Sequence, residues 1–359
     1  MSAGLLSSCG FGEQRPEGDG QGAAYVDGRF KNTEIDYQTT LSGIYDIARS
    51  YLRAERKAPV PQVELPMLPL QVEQLEQLVG PAVIRLGHSS VLIRLDEHFY
   101  LTDPVFSERA SPVGFAGPQR FHEPPIATEQ LPPLKAVIIS HDHYDHLDKQ
   151  TLQALAKRTE FFVTPLKVGE KLMSWGVDKA QIIERDWWRS VRLDSVTMTA
   201  TPAQHFSGRG LFDRDKTLWA SWVIQGQQAN IFFSGDSGYF AGFKEIGERY
   251  GPFDITLIET GAYNELWSEI HMLPEQSVQA HIDLQGRAMI PIHNSTFDLA
   301  LHDWYEPLER ASVHAEKTGV TLLTPLMGEI VSVQQPAATS AWWRDFIAEP
   351  EEQLVMQLP

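Results

Sequence analysis

The sequence predicts an α/β protein dominated by one large domain, which spans residues 81–335. Short β-branched and aromatic runs alternate with helix-like segments through this range, and such alternation is typical of α/β folds. The chain is long enough for a substantial core, since 42% of its 359 residues are hydrophobic and 21% are charged. No apolar run approaches the roughly 20 residues that a membrane-spanning helix needs. We therefore expect a folded domain outside the bilayer.

An N-terminal extension, residues 27–80, precedes the large domain. Between Tyr37 and Leu52, apolar residues recur at near-helical spacing, which predicts a helix. Because proline interrupts helices, the segment after it is predicted to be an irregular connector. Its prolines are Pro59, Pro61, Pro66 and Pro69.

Residues 1–26 are predicted to be a disordered tether or the remnant of a signal peptide. The segment Leu6-Ser7-Ser8-Cys9-Gly10 resembles the lipobox of bacterial lipoproteins, but a basic region and a full apolar stretch are missing ahead of it. It is either a signal remnant or a chance match. The Gly-, Glu- and Gln-rich residues 10–22 favour a tether. The protein is then expected in the bacterial cell envelope or periplasm, anchored through Cys9, and otherwise in the cytoplasm.

The large domain is expected to begin with two strands over residues 82–95, joined at a Gly-His-Ser turn. Further strands are predicted near residues 100–102, 136–139, 161–164, 182–184, 191–193, 196–201, 218–224, 230–235, 255–259, 288–294 and 321–323. Helices are predicted at residues 148–157, 167–175, 274–284 and 299–317, and residues 336–359 are predicted to form a tail packed on the domain. We interpret the pairs Trp187-Trp188 and Trp342-Trp343 as core or lid packing rather than lipid anchors.

A dense polar segment follows the apolar run at residues 136–139. It contains His141, Asp142, His143, Asp145 and His146, too many ionisable groups for an ordinary core. Side chains alternate along an extended segment, so the His-x-His pair presents two ring nitrogens on one side. A turn then brings the next carboxylate and imidazole to a second position. The pattern His-x-His-x-Asp-His resembles the signature of the metallo-β-lactamase superfamily.

Three later strands also end in potential metal ligands, namely His205, Asp236 and His293. Open α/β sheets usually keep their chemistry at such strand ends. The set agrees with two ions: the first would take His141, His143 and His205, the second would take Asp145, His146 and His293, and Asp236 would bridge them. Ligation by nitrogen and oxygen alone suits Zn²⁺, with Mn²⁺ or Fe as alternatives. The only cysteine is Cys9, so thiolate ligation is not expected.

A closer resemblance rests on motifs distributed from about residue 30 to residue 328. These are Leu86-Gly87-His88-Ser89-Ser90, Leu101-Thr102-Asp103-Pro104, Gly117-Pro118-Gln119-Arg120-Phe121, the segment 140–148, Leu218-Trp219-Ala220-Ser221-Trp222 and Gly261-Ala262-Tyr263. They look like N-acyl-phosphatidylethanolamine-hydrolysing phospholipase D and its bacterial relatives. The resemblance implies a four-layer αβ/βα sandwich and a dinuclear zinc centre that cleaves a phosphodiester. The family's ligands map onto the seven residues above, and its further active-site histidine corresponds to His271.

Four further residues are candidates for the site, and three of them have an alternative structural role. Asp103 is either a turn former or an acceptor that orients a ligating histidine. His88 either bonds only to backbone or belongs to the site. Arg120, in a long loop, is a candidate for neutralising a substrate phosphate. His271 either binds the phosphate or protonates the leaving alkoxide, unless it is an ordinary surface histidine.

The resulting hypothesis is a metal-dependent phosphodiesterase of phospholipase D type acting on a small-molecule or lipid phosphodiester. Asp145, Asp236 and His271 are the predicted catalytic residues. A lactonase or other carbonyl-ester hydrolase is one alternative, and a non-catalytic metal-binding lipoprotein is another. The formal charge of -17 argues against nucleic acid as a partner. A peripheral or lipid-anchored contact with a membrane is compatible with the predicted substrate.

Overall fold

The computed structural model of the protein describes residues 21–37 and 41–347. Cys9 and most of the predicted tether lie outside the described residues, as do residues 348–359 of the predicted tail. Two mixed β-sheets lie face to face with helices on their outer sides. This arrangement confirms the predicted αβ/βα sandwich.

Fifteen strands occur within the described ranges. They are β1 (Tyr25–Val26), β2 (Arg29–Phe30), β3 (Ala82–Gly87), β4 (Ser90–Leu95), β5 (His98–Thr102), β6 (Leu134–Ile138), β7 (Thr159–Pro165), β8 (Ile182–Arg185), β9 (Ser190–Leu193), β10 (Val196–Thr201), β11 (Ser221–Gln225), β12 (Asn230–Phe233), β13 (Phe253–Glu259), β14 (Gly286–Ile292) and β15 (Ile330–Ser332).

Seven α-helices occur in the same part of the chain. They are α1 (Leu41–Arg53), α2 (Val72–Glu76), α3 (Lys149–Leu155), α4 (Gly169–Ser174), α5 (Gly242–Tyr250), α6 (Pro274–Asp283) and α7 (Glu306–Thr318). Short 3-10 turns lie at Thr128–Gln130, Lys179–Gln181, Glu265–Trp267 and Trp342–Phe346. No helix in the described ranges combines the length and apolar character needed to cross a membrane.

Two large sheets contain thirteen of these strands, and β1 and β2 form a separate two-stranded sheet. The seven-stranded sheet has the order β15-β3-β4-β5-β6-β7-β8, and the six-stranded sheet has the order β14-β13-β12-β11-β10-β9. The chain passes from one sheet to the other between β8 and β9 and returns at β15. Strands β5 to β8 run parallel to one another, as do β12 to β14. Functional side chains that follow these strands therefore collect at shared edges.

Alternation along the strands builds the layers. In β3 and β4, Ile84 and Leu92 pack on the outer side with Leu152 of α3, whereas Val83 and Ile93 face the core between the sheets. Trp222 of β11 joins the sheets directly, because its indole N–H donates to the carbonyl of Ile139 at 2.9 Å. On the far side, Phe232 contacts Phe243 of α5 with ring centroids 6.3 Å apart.

Two predicted elements near the C-terminus are wrong in extent. The last helix was expected from residue 299 but begins at Glu306, because the preceding residues pair with the N-terminal connector instead. The amide of Ala58 donates to the Asp303 carboxylate at 2.8 Å, and the amide of Trp304 donates to the Ala58 carbonyl at 2.9 Å. The strand expected at residues 321–323 is reduced to a single bridge between Leu322 and Met289.

The N-terminal extension and the tryptophan pairs pack against the domain. Arg56, just after α1, forms an ion pair with Asp298 at 2.5 Å, and Ile47 of α1 packs with Trp267. All four paired tryptophans are buried, which confirms the core-packing interpretation; they are Trp187, Trp188, Trp342 and Trp343.

Candidate metal centre

The predicted ligands converge at one edge of the sandwich, although they come from both sheets. Residues 141–146 follow β6 of the seven-stranded sheet, whereas His205, Asp236 and His293 follow β10, β12 and β14 of the other. All seven predicted ligands are brought together in clusters of close donor atoms. The centre thus lies between the sheets, at the end where these strands stop.

Three histidines and one carboxylate form the first cluster. The His143 Nδ1 atom lies 2.8 Å from His141 Nε2 and 3.3 Å from His205 Nε2. The Asp236 Oδ2 atom lies 3.7 Å from the Nε2 atoms of both His141 and His205. Ligand atoms around a tetrahedral ion with bonds of about 2.0–2.1 Å are about 3.3–3.4 Å apart. The four donors are spaced as such an ion requires.

The second cluster shares Asp236 with the first. The Asp236 Oδ2 atom lies 3.1 Å from His146 Nε2 and 3.2 Å from His293 Nε2. The Asp145 Oδ2 atom lies 3.5 Å and 3.3 Å from the same two nitrogens. One oxygen of Asp236 therefore faces both clusters, as a bridging ligand would.

Unpaired donor atoms show that the residues fit metal ions. His146 Nε2, His293 Nε2 and Asp236 Oδ1 are buried and have no hydrogen-bond partner within the described residues. Buried polar atoms without partners are costly and rare. Here ring nitrogens and carboxylate oxygens converge on common points, as ligands around a cation do.

The electrostatics of the clusters also favour bound cations. Burial lowers the pKa of His141 and His205 well below the ordinary value, so both imidazoles are neutral and offer lone pairs. Burial by itself would lower the pKa of His293, but the carboxylates of Asp236 and Asp145 raise it to about 10. The two carboxylates therefore attract positive charge, which metal ions would supply in place of protons.

Hydrogen bonds behind the clusters orient the ligand rings. The Asp103 carboxylate accepts from His146 Nδ1 at 2.6 Å, from the Ser140 amide at 2.7 Å and from the Ser140 hydroxyl at 2.5 Å. On the other sheet, His205 Nδ1 donates to the Ile270 carbonyl at 2.9 Å. Such partners fix the tautomer that leaves Nε2 free for a metal.

Unusual backbone conformations accumulate around the centre. His88, Asp103 and His293 have positive φ values of 48°, 31° and 64°. Non-glycine residues rarely adopt this conformation, and it tends to be retained at functional sites. Gly235, ahead of Asp236, has φ 56°, and a Cβ there would lie 2.5 Å from the Ser140 Cβ atom. Glycine is therefore required where the two sheets approach beneath the ligands.

His271 lies beside the clusters, and its side chain lines a cavity next to them. Its Nδ1 atom donates to Glu259 Oε1 at 2.5 Å, and Glu259 is completely buried at the end of β13. The second oxygen of Glu259 accepts from the Ser237 amide at 3.1 Å. The glutamate therefore holds the ring with Nε2 directed away from it.

A cavity of about 270 Å³ opens onto the centre. Its polar residues are His143, Asp145, Asp236, His271 and His293. Apolar and aromatic side chains form the remaining wall, and they come from the N-terminal extension as well as the domain: Tyr37, Ile47, Tyr51, Phe206, Ala262, Trp267, Ile270 and Leu299. Among the described residues, the lining includes neither lysine nor arginine.

The remaining candidates have contrasting positions. His88 is buried against the second cluster, with Nε2 3.1 Å from Asp145 Oδ2. Arg120 is 8% exposed and directs its guanidinium at the carbonyls of His122 and Ser107. The structure does not bring Arg120 to the cavity, because its loop folds inward against the turn after β3.

Several residues of the site escaped the sequence analysis. Glu259 had one detectable signal, since a glutamate at the end of an otherwise apolar strand needs a partner. Ser140 and Thr296 contact Asp103 and the His88 amide, but nothing local distinguishes them from ordinary polar residues. The aromatic wall supplied by α1 depends on where that helix docks, which its sequence pattern does not specify.

The ligand set and the paired sheets define a class of protein. The sequence model described as "Beta-lactamase superfamily domain" matches residues 98–294, a range that contains all seven predicted ligands. The chain therefore belongs to the metallo-β-lactamase superfamily and is a metal-dependent hydrolase of that superfamily.

Two related proteins and one solved structure are similar to this chain. N-acyl-phosphatidylethanolamine-hydrolyzing phospholipase D 1 of Caenorhabditis elegans is 33% identical over 283 residues, which cover 74% of this chain and 80% of that protein. An uncharacterized protein of Mycobacterium tuberculosis is 42% identical over 335 residues, covering 90% of this chain and 88% of its own. The structure of Igni18, a metallo hydrolase from Ignicoccus hospitalis, matches with a TM-score of 0.54 at 22% identity, covering 70% of this chain and 97% of that chain. This last likeness shows the fold.

Proposed function

We propose that this protein is a phosphodiesterase of phospholipase D type that holds two Zn²⁺ ions and hydrolyses a lipid phosphodiester such as an N-acyl-phosphatidylethanolamine. The proposal rests on two ligand clusters that both contact Asp236 and on a cavity beside them whose wall is largely apolar. The similarity to the phospholipase of Caenorhabditis elegans supports the same substrate class.

The composition of the cavity favours a diester with apolar substituents. A phosphodiester carries one negative charge, which two cations suffice to balance. The side chains of Ile47, Trp267 and Leu299 provide surface for acyl groups, whose burial contributes about 25 cal/mol per Å². No described lining residue is a lysine or an arginine that would favour a more highly charged soluble substrate.

The residues divide the chemical work. Two Zn²⁺ ions, when bound, supply Lewis acidity toward a phosphoryl oxygen and lower the pKa of a water molecule. Asp236 faces both ligand clusters and holds them at a fixed separation. Asp145 lies at the edge of the second cluster, where it orients the attacking water. Glu259 holds His271 so that Nε2 can donate a proton to the leaving alkoxide.

The surface of α1 supports a peripheral contact with lipid. Tyr45 and Leu52 are 66% and 88% exposed, and the same helix lines the cavity through Ile47 and Tyr51. An exposed apolar face next to the substrate cavity would let a lipid enter without crossing bulk water.

Product analysis tests the proposal directly. Zn²⁺-loaded protein is incubated with an N-acyl-phosphatidylethanolamine, bis-(p-nitrophenyl) phosphate and a panel of lactones. We expect phosphatidic acid and an N-acylethanolamine from the lipid, and slower cleavage of the soluble diester. In the variant Ile47→Asp the ratio of lipid to soluble-diester turnover should fall, whereas Val313→Asp, a surface control on α7, should leave this ratio unchanged.

The outcomes separate the competing functions. Hydrolysis of lactones without cleavage of either diester would assign the protein to carbonyl-ester hydrolysis. Metal-loaded protein that cleaves neither diesters, esters nor lactones would indicate a non-catalytic metal-binding role. An unchanged ratio in Ile47→Asp would contradict the assignment of the apolar wall to acyl chains.

A further inference from the structure

His88 is a buried residue of the centre to which the proposed chemistry assigns no task. It occupies the turn between β3 and β4, is 2% exposed, and adopts a left-handed backbone conformation with φ 48°. This conformation is uncommon for residues other than glycine, although histidine adopts it more often than most. A fully buried imidazole in this turn, beside two ligand clusters, indicates a requirement for that side chain.

The contacts of His88 differ from those of the second-cluster ligands. The Nε2 atoms of His146 and His293 each approach both carboxylates, Asp145 and Asp236, yet neither nitrogen forms a hydrogen bond. The Nε2 atom of His88 forms a hydrogen bond with Asp145 Oδ2 at 3.1 Å. In the Nε2–H tautomer His88 would donate to this carboxylate, whereas the other two rings meet both carboxylates at a shared centre, which the His88 ring also approaches.

The turn that carries His88 makes four further contacts with His293 and with residues that follow it. The His88 amide donates to the Thr296 hydroxyl at 2.7 Å, and the His293 amide donates to the His88 carbonyl at 3.1 Å. The His88 ring packs on the His293 ring with centroids 4.0 Å apart, and Phe297 contacts it edge-on at 5.3 Å. These contacts leave the imidazole one orientation.

We infer that His88 is a positioning residue for the second metal position: it donates Nε2–H to Asp145 and holds Oδ2 of that carboxylate toward His146 and His293. This inference rests on the proposed pair of metal ions. The second position already has four donors, which are His146, His293, Asp145 and Asp236, so a further ligand is not required there. Hydrogen-bond partners of ligands typically change metal affinity about 10–100-fold.

Two amide variants test this role because they differ only in reach. In His88→Gln the amide nitrogen can occupy the place of Nε2 and donate to Asp145, whereas in His88→Asn the amide ends near the position of Nδ1. Both variants and the wild type are loaded with Zn²⁺ as full chains, and each equivalent is followed during chelator titration. We expect His88→Asn to lose its second equivalent about 10–100-fold more readily, His88→Gln to resemble the wild type, and the first equivalent to be unaffected.

Two results would overturn the inference. One is a His88→Asn titration that superimposes on the wild type. The other is equal loss of the second equivalent from both variants, together with visible spectra of Co²⁺-substituted proteins showing a lower coordination number than in the wild type. That combination would make His88 a ligand.

A measurement on the wild type gives a second readout that does not depend on metal affinity. In ¹⁵N-histidine NMR spectra of the Zn²⁺-loaded protein, the inference requires His88 to be the Nε2–H tautomer; a ligating Nε2 would require Nδ1–H instead. The signal is assigned by its absence from His88→Gln. A wild type that binds two equivalents but cleaves no diester would contradict the proposed function and leave the His88 result standing, since chelation and tautomer need no substrate.

Discussion

Replacing Asp103 by asparagine should weaken the second metal position without dismantling the fold. Asp103 is completely buried and accepts three hydrogen bonds, from His146 Nδ1, the Ser140 amide and the Ser140 hydroxyl. Asparagine has nearly the same shape but only one accepting oxygen. Its NH₂ group must then face a donor. If it faces His146, that ring has to move its proton to Nε2, which is the atom needed for the metal.

The size of the effect follows from this tautomer conflict. Loss of a hydrogen-bond partner behind a ligating histidine lowers metal affinity about 10–100-fold. This corresponds to about 1.4–2.7 kcal/mol of binding free energy. We therefore expect Asp103→Asn to retain the first equivalent of Zn²⁺ and to release the second at 10–100-fold lower chelator concentration, as measured by elemental analysis after titration.

Asp148→Asn is a matched control for this experiment. Asp148 is also a buried aspartate next to the ligand segment, but its carboxylate accepts from the Gln150 amide at 3.1 Å and the Ser107 amide at 3.0 Å, and so caps α3. The control should lower thermal stability and leave both metal affinities unchanged. Equal affinities in Asp103→Asn and the wild type would refute the tautomer argument, as would equal losses in the two variants.

Three further predictions concern different parts of the molecule. His271→Ala should reduce turnover about 10²–10⁴-fold with metal content intact, and loss of metal as well would place His271 among the ligands. Arg209→Ala removes donors to the carbonyls of Asp142 and Leu147, at 2.9 Å and 2.7 Å, and should lower the free energy of unfolding by about 2 kcal/mol in urea titrations; an unchanged midpoint would contradict this. Burial lowers the pKa of His281 from 6.5 to about 4, so the unfolded chain binds its proton first as the pH falls. The stability that neutral His281 confers is present above pH 6.5 and is lost toward pH 4, by up to about 3 kcal/mol. Between these pH values the free energy of unfolding of the wild type should therefore fall by that amount relative to His281→Asn. A difference between the two proteins that stays constant with pH would show that His281 does not titrate.

The convergence of the candidate ligands was predictable because each follows a recognisable strand. His205, Asp236 and His293 lie within a few residues of apolar runs, and the edge of a sheet brings such positions together. Their partners were less accessible, since the Glu259–His271 contact depends on how β13 and the following loop fold in space.

Local patterns also failed where distant segments compete for the backbone. Residues 299–305 have an acceptable helical pattern, but Asp303 and Trp304 bond to Ala58, some 245 residues earlier in the chain. In the same way, the amide of Thr324 donates to the hydroxyl of Thr339 at 2.6 Å, which ends pairing beside β14. Sequence periodicity contains no information about either partner.

The hydrogen bond from Trp222 to Ile139 has a consequence for the spacing of the candidate ligands. Ile139 precedes His141 by two residues, and Trp222 belongs to the sheet that supplies His205, Asp236 and His293. The indole is buried, and its hydrogen bond therefore fixes the distance between the two ligand-bearing sheets. A smaller residue at this position would let the sheets move closer and would shorten the distances between donors of the two sheets within each cluster, so that a core side chain fixes the geometry of the candidate metal centre.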